Sequence, residues 1–412
     1  MPSSFLHLIR VFLPFALGYF LSYIYRTVNA VLAPDLVADL NLDPAALGLL
    51  TSAYFLAFAA FQLPLGVLLD RFGPRRVEAT LLVVAAAGAF LFARAESLMM
   101  LMVGRALIGL GVSACLMAAF KAFTQWFEPE RLPLVNGIQM ISGGLGALVA
   151  TAPVEAALHV TDWRGVFTLL SGVTLLAALA VYLVVPRRDE GKGAISLSEQ
   201  WQGVRTIYSS GFFWRLAPWA IAAQAAYLSL PGLWAGPWLR DLAGLDRGDA
   251  ARVLLLLAVA MMAGYFFFGF ITERLSRRGV APLRVVVTGL ALFGSVQLAL
   301  IGAGQVAPAL AWILFGFSGT ACILPYAVLS QKFPRELAGR ANTALNLPVF
   351  LGAFSAQWLV GAMIGLWPET ATGYHPTGYR AGFGLLLLLQ LAAAGWFLWS
   401  GRRRHGREAG DA

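Results

Sequence analysis

An all-α membrane protein, with twelve transmembrane helices arranged as two pseudo-symmetric six-helix bundles, is the fold class this sequence predicts. Three observations carry it. The 412 residues are 59% hydrophobic and only 12% charged, far too little charge to cover a soluble protein of this length. Twelve apolar runs are long enough to cross a bilayer, which takes about 20 residues at about 1.5 Å of rise each. The chain also repeats a local pattern at about half its length.

The apolar runs lie at approximately 10–33, 46–68, 77–94, 99–126, 133–157, 165–186, 214–238, 250–272, 283–303, 308–331, 341–365 and 381–400. Residues 1–186 then form an N-terminal six-helix bundle and 214–400 a C-terminal one. Residues 187–213 are polar and read as a central cytoplasmic loop with a short surface helix around 198–208, and 401–412 is a basic tail. The first run contains an arginine and lacks a clear small-residue cleavage site, so it reads as a span and not as a leader.

Basic residues set the orientation, because Lys and Arg concentrate on the cytoplasmic side. With both termini inside, 21 Lys and Arg fall in cytoplasmic segments and six outside, at Arg94, Arg164, Arg240, Arg247, Arg252 and Arg380. The net charge of +9 is spent on topology in this reading, which argues against nucleic-acid binding. Cys115 and Cys322 lie in apolar runs and suggest neither a disulfide framework nor a zinc site.

The halves echo each other. Gly66-Val-Leu-Leu-Asp70-Arg71-Phe-Gly73-Pro-Arg75-Arg76 follows span two, and Gly269-Phe-Ile-Thr-Glu273-Arg274-Leu-Ser-Arg277-Arg278-Gly279 follows span eight, 203 residues later. Ala114-Cys115-Leu116 is matched by Ala321-Cys322-Ile323, and Asn136 by Asn342. Two repeats of like orientation imply a pseudo-twofold axis along the membrane normal and a path between the halves.

Gly66 to Arg76 resembles the G-x-x-x-D-R-x-G-R-[RK] signature of the major facilitator superfamily, with Pro74 displacing the basic pair by one position. Arg105 in Gly104-Arg105-Ala-Leu-Ile-Gly109 resembles the span-four arginine motif of that family. The resemblance covers essentially the whole chain. It implies a multi-pass secondary transporter of the bacterial inner membrane working by alternating access, a monomer in the lipid bilayer, with no cofactor and no catalytic residue. The antiporter-associated span-five pattern is only partly matched, by Gly143, Gly144, Gly146 and Pro153 without a Gly-Pro pair, which favours symport or uniport over drug efflux. Asp70, Arg71, Arg75, Glu273 and Arg274 are the expected gating residues. A carboxylate at a helix end can bond a neighbouring helix N-terminus or a basic residue and release it when the halves rock; topology anchoring is the alternative role.

Arg26 is the leading substrate-binding residue, since an ionised side chain within a span is a functional candidate by default. Tyr19, Ser22, Tyr23, Asn29 and Ala30 share its helix face. A guanidinium binds carboxylate or phosphate bidentately. Tyr23-Ile-Tyr25-Arg26-Thr-Val-Asn29 also resembles span one of organic-anion and sugar-phosphate branches of the superfamily, which implies an anionic substrate at Arg26. The second-half arginine of phosphate antiporters and the arginine pair of nitrate transporters are both missing. Lys121 either faces the path or snorkels toward the cytoplasm. Arg105 reads as a structural or coupling charge. Glu155 is the one clear carboxylate within a span, with three open roles: carrying a coupling proton, pairing with Arg105, or lying wetted at the surface. Gln224, Tyr227 and Trp234 of span seven, Tyr326 of span ten and Asn346 of span eleven complete the expected site.

Together these residues point to transport of a small carboxylate-type anion, coupled to protons as a symporter. Three alternatives stand beside it: efflux of amphipathic compounds through the aromatic span seven; Cu(I) import on Cys115, Met117, Cys322, Met261 and Met262, since soft ligands suit that ion; and a non-transporting sensor built on a transporter fold. No nucleophile-base set, metal cluster or nucleotide loop suggests an enzyme.

Overall fold

The computed structural model describes residues 8–128, 132–187, 197–370 and 373–408, and all of its regular elements are helical. The described residues open on a π-turn, Leu8–Phe12, followed by α1 (Leu13–Thr27) and α2 (Asn29–Leu40). These bend by 48° at Val28, where the Thr27 hydroxyl turns back onto the Tyr23 carbonyl at 2.9 Å and competes with the helix for that acceptor. α3 (Pro44–Ala93) has two legs that reverse around Gly73, at φ 77° and ψ 158°. α4 (Leu98–Gly111), α5 (Cys115–Trp126), α6 (Leu132–Val149), α7 (Ala152–Ala157) and α8 (Trp163–Val184) complete the first half of the chain.

In the central polar stretch, α9 (Leu197–Tyr208) occupies the place of the expected surface helix. The Tyr208 hydroxyl ties it to the Ala344 carbonyl at 2.8 Å. α10 (Gly211–Ser229), a π-turn (Leu230–Trp234) and α11 (Ala235–Asp241) form one continuous helical run. α12 (Arg247–Arg277), α13 (Pro282–Ala303), α14 (Pro308–Gly319), a 3₁₀ turn (Thr320–Ile323), α15 (Leu324–Lys332), α16 (Arg335–Ile364) and α17 (Pro376–Glu408) follow.

Among the described residues, nine helices are long and apolar enough to cross a membrane, or ten if the bent pair α1–α2 is one span. The sequence predicts twelve spans, and two of the runs behind that number are not single regular α-helices in the structure. The run 133–157 stops at Val149 and restarts as the six-residue α7, with Pro153 in its first turn. The run 214–238 is carried through Pro231 by the π-turn. Proline offers no N–H and crowds the carbonyl four residues back; a wider turn absorbs both defects.

Large apolar side chains point outward, as lipid solvation allows. Leu169, Leu176 and Leu183, seven residues apart along α8, are 67%, 64% and 70% exposed. Such a stripe on a water-facing surface would be an aggregation liability. The interior holds the aromatic and small residues. Phe58 of α3 meets Phe350 of α16 with ring centroids 4.2 Å apart, which joins elements from the two halves of the chain.

Candidate functional site

The side chain of Arg26 is brought into the interior by α1, one turn before the Val28 bend. The residue is only 9% exposed. Its guanidinium carbon lies 4.7 Å from the ring centre of Tyr23, 5.5 Å from Phe58, 5.6 Å from Phe350 and 6.0 Å from Tyr54. Nε has no hydrogen-bond partner, and among the described residues no carboxylate pairs with this cation. Ring faces attract a cation by about 0.5–2 kcal/mol each. They hold the charge without neutralising it, and leave its planar donor fork for an incoming anion.

Beside Arg26 lies a cavity of about 230 Å³ whose lining includes Tyr19, Ser22, Tyr23, Gln62, Gln224, Tyr265, Tyr326 and Asn346. The Tyr326 hydroxyl is 3.0 Å from the Asn346 amide oxygen, and the Asn346 amide donates to Gln62 at 3.3 Å. One hydrogen-bonded chain thus runs from α15 through α16 to α3. The Gln224 amide oxygen is buried without a partner. A second cavity of about 40 Å³ lies beyond Arg26 and takes in Tyr227, Thr27 and Pro231. Tyr23, Arg26 and Tyr265 border both spaces, so the cation sits in the partition between them.

Several residues expected at the site are placed elsewhere. The Asn29 amide donates to the Thr51 hydroxyl at 3.1 Å. Trp234 donates to the Gln357 carbonyl at 3.1 Å and ties the π-turn to α16. Lys121 gives its ammonium to the Leu69 carbonyl at 2.6 Å, next to the loop motif. Arg105, fully buried, donates to the Tyr25 carbonyl at 2.7 Å and lies 5.4 Å from the ring centre of Tyr54. It braces α4 against α1 behind the cavity wall.

The side chain of Asp70 falls outside the described residues. Arg71 is exposed and rests 5.2 Å from the Phe72 ring centre. Arg75 caps the end of α8 by donating to the Tyr182 carbonyl, through Nε at 2.9 Å and through Nη2. Glu273 pairs with Arg277 on its own helix, and Arg274 lies 5.9 Å from the Phe270 ring centre.

Glu155 meets Arg247, not Arg105, at 3.1 Å. Arg247 also binds Asp35 through two parallel hydrogen bonds of 2.9 and 2.7 Å. Neither Asp35 nor Arg247 stood out in the sequence, where both read as ordinary loop-border charges. Gln62 and Tyr265 were also missed, each being a lone polar residue in an apolar run. Among the described residues no group of three or more His, Cys, Asp or Glu is placed to hold a metal ion. Met117 lines the larger cavity and Met261 the smaller, while Cys115 and Cys322 are buried as free thiols.

A "Probable sulfoacetate transporter SauU" of Cupriavidus necator is 25% identical over 282 residues, which is 64% of this chain and 64% of that protein. A "Hexuronate transporter" of Escherichia coli K12 is 27% identical over 164 residues, or 40% of this chain and 38% of that one. Among solved structures, a bacterial homologue of the human lysosomal transporter Spinster, inward-facing and occupied, superposes with a TM-score of 0.79 at 20% identity, over 98% of this chain and 97% of that one. The family model of the Major Facilitator Superfamily matches residues 15–356. The chain belongs to the Major Facilitator Superfamily, a multi-pass membrane transporter and not an enzyme.

Proposed function

We propose that this transporter moves a small organic anion, of the carboxylate or sulfonate type, by alternating access between two six-helix bundles, 1–186 and 214–400. In this reading the bent and broken helices complete twelve spans, and both termini lie on the cytoplasmic face of a bacterial inner membrane. The carrying observation is the Arg26 guanidinium, buried, unpaired with any described carboxylate and bordering the 230 Å³ cavity. Leaving a charge unpaired in a membrane interior costs about 2.5–3.5 kcal/mol or more. A bound anion removes much of that cost, so the site favours negative charge. Tyr23, Gln224, Tyr326 and Asn346 supply neutral hydrogen-bonding groups around it.

Cavity size supports a small cargo. Sites for drug-sized ligands run to roughly 300–1,000 Å³, above the space here, and within a largely apolar lining the Arg26 cation and its few neutral polar neighbours give a compact anion one place to anchor. The substrates for which two relatives are named point the same way, sulfoacetate carrying sulfonate and carboxylate, and hexuronate a carboxylate. The arrangement of closed and open ends supports an inward-facing state. The smaller space leads toward the end where Asp35, Glu155 and Arg247 lock together. The larger one reaches Phe120 and Asn342 toward the opposite end.

A ligand that binds only the folded protein raises its melting temperature in proportion to RT ln(1 + [L]/Kd). Purified protein titrated with sulfoacetate, glucuronate and neutral glucose is expected to be stabilised by one or both anions only. Stabilisation by glucose alone would overturn the anionic reading.

A further inference from the structure

Glu78 begins the membrane part of the second leg of α3, two residues past the Arg75-Arg76 pair. It is fully buried, and neither carboxyl oxygen has a hydrogen-bond partner. Oε1 rests on Gly18 of α1, where an added methyl would approach to 2.3 Å and the carboxyl would have to move aside. The Cys115 thiol faces it from α5. The cations of the same region are turned elsewhere: Arg75 to the Tyr182 carbonyl of α8, Lys121 of α5 to the Leu69 carbonyl, and Arg76 to the surface. Tyr19 and Arg26 continue along α1, eight residues of which separate Gly18 from Arg26, about 12 Å of helix.

The walls around this carboxyl are also the walls of the substrate cavity. Tyr19 and Ser22 of α1, and Leu116 and Met117 of α5, line that cavity, while Gly18 and Cys115, their immediate neighbours, seal Glu78. A bare carboxylate here would carry a full charge with no cation beside it and only the weak Cys115 thiol as a donor. No pattern in the sequence marks it out, because Glu78 lies two residues after a basic pair and reads as part of the cytoplasmic border.

We propose that Glu78 is the proton-carrying residue of this transporter. The carboxyl is protonated in the present conformation. When α1 and α5 shift apart within the first bundle as the cycle proceeds, its O–H proton passes to cavity water as hydronium and the carboxylate becomes hydrated. A hydronium reached from the opposite side restores the acid before the walls close again. The proposal rests on the transport reading but not on Arg26 as the anion anchor.

Two measurements on the full-length reconstituted protein test it. Infrared difference spectra across a pH titration are expected to show the carbonyl band of a protonated, buried carboxylic acid, absent from Glu78→Gln. Lack of the band in wild type, or its persistence in the variant, would overturn the proposal without reference to any substrate. With labelled sulfoacetate and glucuronate as probes, a one-unit proton gradient is expected to drive about tenfold accumulation in wild type, and none in Glu78→Gln. The variant should keep probe counterflow, which needs no net proton movement, and Glu78→Asp should restore part of the accumulation. Accumulation by Glu78→Gln equal to wild type, or loss of counterflow as well in a folded variant, would assign Glu78 a structural role and refute the coupling. Failure of Arg26→Ala to alter binding would sink the anchor and leave these readouts intact.

Discussion

Arg247 and Asp35, 212 residues apart in the chain, are joined by two parallel hydrogen bonds, with Glu155 gripping the same guanidinium from a third helix. This fork joins the start of α12 to α2 and α7, one element from the second half of the chain and two from the first. Ala30 of α2, Leu254 of α12 and Thr151, just before α7, line the smaller cavity, and in the alternating-access reading this fork is the latch at that end.

Opening that latch should shift the conformational balance. Arg247 and Asp35 are about one-third exposed, so their pair contributes at the upper end of the surface range, about 1 kcal/mol, or roughly fivefold in population. In Arg247→Ala, a cysteine placed at Thr27, which borders the smaller cavity, should be labelled several times faster by a membrane-impermeant maleimide added from the Arg247 end. Unchanged labelling would show that the latch does not hold the end shut.

Gly236 of α11 should be intolerant of any side chain. A methyl built on it would come within 1.9 Å of the Ala30 carbonyl, and backbone cannot yield as a flexible side chain can. Gly236→Val is expected to lower uptake at least tenfold and to raise maleimide access at the Thr27 position as Arg247→Ala does. Wild-type uptake would mean that this crossing is not closed during the cycle.

Trp234→Phe removes the indole N–H bond to the Gln357 carbonyl while keeping most of the buried ring. A net hydrogen bond of this type is worth about 1 kcal/mol, so the variant should melt a few degrees lower and keep its substrate affinity, since Trp234 does not line the cavity. A strong affinity loss with unchanged melting would move Trp234 into the binding site.

Asp241, beyond the end of the expected seventh span, accepts the Tyr379 hydroxyl at 2.6 Å and the Tyr374 amide at 3.2 Å. Burial pushes its carboxyl above the ordinary value, and these bonds only partly oppose the shift. With the folded value raised, Asp241 favours the folded state most below the ordinary carboxylate range. That advantage fades as pH rises through the raised value. Asp241→Asn should therefore gain relative stability between acidic and neutral pH; melting curves of both proteins at pH 3.5 and 7 measure it, and a difference that stays constant would contradict the assignment.

The helical membrane architecture was legible because lipid leaves hydropathy as the dominant signal, and Arg26 because a permanent charge within an apolar run is conspicuous. What pattern could not yield was partnership. Lys121 and Arg105 look alike as intramembrane cations, yet both are held by backbone carbonyls, acceptors that every residue carries. Asp35 and Arg247 look like loop charges until the fold brings residues 212 apart together. Pro153 and Pro231 stand in apolar runs of the sequence, but whether a proline kinks, widens or breaks a helix depends on neighbours that the sequence alone does not name. Glu78 was hidden by its proximity to Arg75 and Arg76, since burial at a membrane border is set by packing against Gly18 and Cys115.

Uptake of labelled sulfoacetate and glucuronate into proteoliposomes, compared between wild type, Arg26→Lys and Arg26→Ala, addresses the anion anchor most directly. Truncating one partner of a buried charge pair costs about 2–5 kcal/mol. Arg26→Ala should therefore bind the anion at least about thirtyfold more weakly, while Arg26→Lys keeps the charge but loses the fork and falls between. Undiminished uptake by a folded, membrane-inserted Arg26→Ala would contradict the assignment.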